Sequence, residues 1–167
     1  MIYEFCAENV TLLEKAMQAG ARRIELCDNL AVGGTTPSYG VTKAAVELAA
    51  NYDTTIMTMI RPRGGDFVYH DLEIAIMLED IRLTAQAGSQ GVVFGALTAD
   101  KKLDKDNLEK LIAASKGMEI VFHMAFDELS EEDQLEAIDW LSQAGVTRIL
   151  TRAGVSGDSL EKRFAHY

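Results

Sequence analysis

At 167 residues, with 48% hydrophobic and 25% charged side chains, the chain has the make-up of one globular domain. That composition excludes a disordered tail, a collagen and a disulfide-dense mini-protein. Sixteen Lys and Arg against 26 Asp and Glu give a net charge of −10, which repels nucleic-acid phosphates and anionic lipid headgroups alike.

No run approaches the ~20 apolar residues of a membrane span. The N-terminus, MIYEFCAENV, has neither the basic start nor the long apolar stretch of a secretory signal. The expected compartment is therefore the cytoplasm, where the two cysteines, Cys6 and Cys27, would stay reduced.

A first strand at 2–7 alternates Tyr3 and Phe5 with Glu4 and Cys6. A helix at 10–19 follows, opened by Thr11-Leu12-Leu13-Glu14, which has the form of a capping box. A second strand at 23–28 alternates Ile24 and Leu26 with Arg23, Glu25 and Cys27. Asp28-Asn29 and Gly33-Gly34-Thr35-Thr36-Pro37-Ser38 then make a long glycine-rich loop, before a helix at 37–50. The third strand, at 54–61, sets Met57 and Met59 among Ile56, Thr58 and Ile60, and leaves through Arg61-Pro62-Arg63-Gly64-Gly65-Asp66-Phe67. A helix at 71–87 carries Asp80, and a strand is expected at 91–97.

The charged stretch from Asp100 to Asp106 leads into a helix at 104–115. The fifth strand, at 118–125, alternates Ile120 and Phe122 with Glu119, Val121 and His123. Ser130 and the acidic turn Glu131-Glu132-Asp133 open a helix at 131–144. A last strand at 147–152 precedes what reads as a sixth helix, which holds His166; neither His166 nor His70 shows a partner pattern.

The phrase Gln-Ala-Gly occurs at 18–20, 86–88 and 143–145, each time ending a helical pattern about four residues before a β-rich run. Glycine is the residue a helix uses where its backbone turns left-handed. The chain thus repeats helix, short loop and strand, which demands a parallel sheet covered by helices. An open doubly wound sheet and a barrel both satisfy this. No glycine-rich dinucleotide fingerprint follows the first strand. One face of each strand is apolar and the other polar, which suits a barrel with helices outside and polar residues within.

The expected class is therefore α/β, a TIM-type (β/α)8 barrel with about six of its β/α units, and 1–167 as a single incomplete domain. A full barrel takes ~250 residues. The open edges would favour a homo-oligomer.

Three groups of residues could carry chemistry. Glu4-x-Cys6 and Glu25-x-Cys27 each place a carboxylate and a thiol on one strand face. Neighbouring strands lie ~4.8 Å apart, so these groups could converge. Thiolates suit Cu(I) or Zn; the cysteines could equally be small buried hydrophobes. In the loop after the third strand, Arg61, Arg63 and Asp66 stand beside a glycine pair, a pattern that matches a carboxylate or phosphate. Arg61 could instead neutralise Glu4 or Glu25. His123, near the end of the fifth strand, could act as an acid or base, with Glu25 as a second carboxylate and Asp127 orienting it or capping the next helix. No nucleophile elbow, Cys-x-x-Cys, His-Glu-x-x-His or phosphate-binding P-loop is present.

Arg61-Pro62-Arg63-Gly64-Gly65-Asp66-Phe67, Glu25-Leu26-Cys27, Gly33-Gly34-Thr35-Thr36-Pro37-Ser38 and Phe122-His123-Met124-Ala125-Phe126-Asp127 together resemble the CutC family of copper homeostasis proteins. The resemblance runs from residue 1 to about 152. It implies a (β/α)8 barrel in the cytoplasm, with Cu(I) held by cysteines at the mouth, which fall on Cys6 and Cys27. Arg61, Arg63, Asp66 and His123 match the family's polar pocket, while Met124 stands where the family commonly has Arg. The resemblance thus implies copper as cofactor and a copper homeostasis role. The pocket residues allow an alternative, a barrel enzyme for a small anionic substrate. A third reading makes the polar interior an ion-pair network that only stabilises.

Overall fold

The structure, a computed structural model, describes residues 1–152. The expected sixth helix and His166 lie outside the described residues.

Strands and helices alternate as β1 (Glu4–Glu8), α1 (Leu13–Gln18), β2 (Arg23–Cys27), α2 (Tyr39–Ala49), β3 (Thr55–Met59), α3 (Asp71–Ala87), β4 (Gly91–Phe94), α4 (Lys105–Ala114), β5 (Glu119–Phe122), α5 (Glu131–Gln143) and β6 (Arg148–Ile149). Short 3-10 turns at Leu30–Val32 and Met124–Glu128 follow β2 and β5. The six strands form one sheet in chain order, and every neighbouring pair is parallel. The sheet curls into a half-barrel with helices, as the alternating pattern requires.

Why these elements form is visible at their ends. Ser38, Asp104 and Ser130 each accept a bond from a backbone N–H in the first turn of α2, α4 and α5. Gly88 closes α3 in the left-handed region, at φ 90°. The opening of α1 differs from expectation. Its N-cap is Leu12, at φ 58° and with no side-chain cap, so the Thr11 capping box is not formed. The turn before it takes up the early donors instead: Thr11 N–H bonds to Glu8 O and Leu13 N–H to Val10 O.

Alternation along the strands sorts the side chains onto two faces. Outward, Ala7, Ile24, Leu26 and Ile56 pack with Leu13, Met17, Ala45 and Ala49 of α1 and α2. Further along, Val92, Phe94, Ile120 and Phe122 pack with Ile74, Met77, Ile81, Leu108, Leu111 and Leu141 of α3, α4 and α5. Each fully buried side chain of this size contributes about 1.5–3 kcal/mol relative to exposure. Inward, Cys27, Met57, Met59, Val93 and Val121 form a separate small cluster.

Register decides which inner residues share a level. Cys6, Glu25, Met57, Gly91 and Glu119 lie in one row across β1 to β5. Met59, Val93, Val121 and Arg148 form the next. Met57 lies across Gly91, where any Cβ would collide with the Met57 side chain, so the glycine makes room for the methionine within the row. The strand beginnings carry the ion pairs Arg23–Glu4 at 3.3 Å and Arg148–Glu119 at 2.7 Å. The strand ends carry Cys27, Arg61 and His123.

Candidate metal centre and barrel mouth

Cys6 and Glu25 are paired across β1 and β2, and Cys27 lies two residues beyond Glu25 on the same face. The three side chains converge as expected: one ligand atom from each lies within 4.8 Å of the others. Both thiols bond to one oxygen of Glu25, Cys6 Sγ at 3.5 Å and Cys27 Sγ at 3.7 Å. Its other oxygen, Oε2, is buried without a partner. Cys6 is exposed and Cys27 buried, so the group opens on one side only.

Burial raises the Glu25 pKa above the usual carboxylate range, although the Cys6 thiol pulls the other way. The hydrogen-bonded Cys6 thiol, burial and the Glu25 charge all push the Cys27 thiol up, so it holds its proton. Gly34, at φ 90°, roofs Cys27. A Cβ there would meet Cys27 Sγ at 3.0 Å, so the glycine both permits the turn and admits the sulfur.

Arg61 lies just past β3 and is 4% exposed. Neither Glu4 nor Glu25 forms a salt bridge with it. Its Nη1 donates to Val32 O at 2.8 Å and Gly34 O at 3.0 Å, and its Nη2 to Gly65 O at 2.8 Å. Its guanidinium also stacks over Phe67, 4.9 Å from the ring centre. One cation thus ties the loops after β2 and β3 together, including the glycine that roofs Cys27.

Arg63 and Asp66 belong to a different group. Arg63 pairs with Asp66 at 3.0 Å and with Glu73 of α3, and it donates to Val68 O at 2.7 Å. The Arg63 guanidinium holds Glu73 below the usual carboxylate range. Glu73 also accepts from the backbone N–H of His70, whose ring accepts from the Glu73 N–H in return. This is a capping box with histidine in the usual serine place. Only the His70-x-x-Glu73 spacing ahead of an apolar run signalled it.

His123 is 2% exposed and lies against Phe67, with ring centres 4.8 Å apart and planes tilted by 49°. Its Nδ1 accepts from the backbone N–H of Ala125, which leaves Nε2 buried and without a partner. Burial, then the nearby Arg61 charge, lowers its pKa to about 3, so the ring is neutral at ordinary pH. Gly95 makes room for it: a Cβ there would lie 2.7 Å from the ring. Asp127 neither orients His123 nor caps α5; it accepts from the Arg152 backbone N–H at 2.9 Å and from the Thr151 hydroxyl. Glu25 stands with the thiols and His123 with Phe67 and Arg61, so the structure puts these two in separate groups.

Fold and side chains together define a barrel-type α/β protein. Two thiols and a carboxylate gather on its inner face, and a buried cation sits at the strand ends. The CutC family profile matches residues 1–163, and the chain belongs to that family.

The CutC family protein of Enterococcus faecalis is 53% identical over 166 residues, covering 99% of this chain and 79% of the relative. The crystal structure of a CutC protein from Streptococcus agalactiae superposes with a TM-score of 0.95 at 46% identity, covering 99% of this chain and 79% of that one. A Homo sapiens relative named copper homeostasis protein cutC homolog is 41% identical over 160 residues, 96% of this chain and 56% of its own length. No helix among the described residues is long and apolar enough to cross a membrane.

Proposed function

We propose that the chain acts in copper homeostasis by binding Cu(I) through Cys6 and Cys27 in the cytoplasm. The observation that carries this reading is the convergence of both sulfurs and Glu25 within 4.8 Å. Thiols are the donors a soft monovalent ion prefers. The thioethers of Met57 and Met59 lie in the same inner cluster as Cys27 and add soft surroundings. The name of the human relative supports the copper role. Glu25, already bonded to both thiols, is placed to accept a proton as sulfur takes up metal. Because Cys27 holds its proton in the free chain, uptake releases protons and binding tightens as pH rises.

The test is an anaerobic Cu(I) competition titration on the 167-residue chain and its Cys6→Ser and Cys27→Ser variants, after circular dichroism has shown each to be folded. The expected result is one tightly bound ion per chain, lost in both variants and weakened at lower pH. Binding that ignores both cysteines would overturn the reading.

A further inference from the structure

We propose that the mouth of the half-barrel is a binding site for a small organic anion, a carboxylate or phosphate, with Arg61 as its anchor. The site is separate from the thiol cluster, and the inference stands whether or not copper binds there.

Three observations carry it. First, Arg61 is a buried cation with no carboxylate in salt-bridge range among the described residues; it donates to the carbonyls of Val32, Gly34 and Gly65, and the buried Tyr69 hydroxyl lies near enough to feel its charge. Its Nε is buried with no partner. A guanidinium keeps its charge, and burying one without a counter-charge is expensive. Dipoles of three carbonyls hold the group in place without neutralising it.

Second, a cavity of about 190 Å³ opens against this side chain, walled by Val32, Gly33, Gly65, Phe67 and Met124, with Arg152 at its rim. Phe67 offers an apolar wall for the body of an organic ligand, and the cation an attachment point for its charged end.

Third, His123 lies tilted against the same Phe67, with its proton on Nε2 and no acceptor there. Its Nδ1 is occupied by the Ala125 N–H, so the ring is a neutral donor. Asp127 and Glu128 also border the cavity, but each is already engaged. Asp127 bonds to Thr151 and Arg152, and Glu128 to Lys101 at 3.1 Å. Arg61 on the cavity wall thus keeps one buried N–H, at Nε, without an acceptor, and an anion is its complement; His123 lies against Phe67 rather than on the wall itself. Gly33 completes the cradle: at φ 89°, a Cβ would lie 3.2 Å from Arg61 Nη1.

The experiment is a titration of the ¹⁵N-labelled 167-residue chain with inorganic phosphate and, separately, with pyruvate, using sodium chloride at matched ionic strength as control. The proposal expects saturable shifts of the Gly33 and Gly65 amides and the Arg61 Nε–H with one probe and not with chloride. Which probe binds distinguishes phosphate from carboxylate chemistry. Arg61→Lys keeps the charge and loses the fork, and should weaken binding by about tenfold or more.

No saturable shift with either probe overturns the proposal. So do shifts confined to residues away from the mouth, and so does a folded Arg61→Lys variant that binds unchanged. If Arg61→Lys fails to fold, the shift map of the unmodified chain decides. The Cys27→Ser variant should bind the probe as the parent does, which separates failure here from failure of the copper reading.

Discussion

His123 keeps a neutral imidazole down to a pH of about 3, whereas the ordinary value is 6.5. In the unfolded chain it takes up a proton near that ordinary value, so between the two the unfolded state binds more protons. The stability this residue contributes is complete above pH 6.5 and is lost as pH falls toward 3. His123→Asn, which can still accept from Ala125, should therefore lose less stability than the parent on acidification through this window. Urea denaturation at stepped pH measures it, and parallel curves for the two chains would contradict it. The same burial that silences His123 as a base leaves it a donor. The neighbouring Cys6 thiol, together with burial, keeps Cys27 protonated until something displaces the proton. Side-chain identity alone set neither state.

The segment from β3 to α3 is held mainly by charge. Arg63 joins Asp66, Glu73 and the carbonyls of Gly64 and Val68, and Glu73 closes the capping box with His70. Glu73→Gln keeps the shape and removes the charge. It should cost about 1–2 kcal/mol, the scale of one helix cap plus part of a charge-assisted bond. The measurement is the urea midpoint, and an unchanged midpoint would show that the loop holds without the pair. Ser130→Ala, which removes the cap of α5 at Asp133 N–H, should cost about 1 kcal/mol by the same method. These two elements begin with caps of different chemistry, and only the serine one was plain from residue type.

Across the whole molecule, β3 and β4 have neighbours on both sides, whereas β1 pairs only with β2 among the described residues. Interior strands open last, because both ladders and both packing faces must be lost together. Hydrogen exchange should be slowest in Thr55–Met59 and Gly91–Phe94 and clearly faster in Glu4–Glu8. Equal protection from β1 to β4 would mean that something other than β2 covers the first strand. The exposed Tyr3, Val10 and Leu12 lie close to that edge in the chain.

The sequence by itself determined the alternation of strands and helices, the parallel sheet, and the face to which Cys6, Glu25, Cys27 and His123 belong. Each follows from local rules: a period of two along an extended backbone, and a glycine where a helix must turn back. Strand ends were less legible. The span 54–61 shortens to Thr55–Met59, and 147–152 shortens to Arg148–Ile149, because a strand ends where its neighbour stops pairing. Only the tertiary structure decided which inner-face residues meet. The register of β1 on β2 brings Cys6 diagonally to Cys27. The curl of the loops after β2 and β3 gives Arg61 three carbonyls instead of a carboxylate, and gives Arg63 to Glu73. Apart from Arg61 to Gly65, four positions away, those pairings join residues 10 to 29 positions apart, and their partners are chosen by packing rather than by spacing.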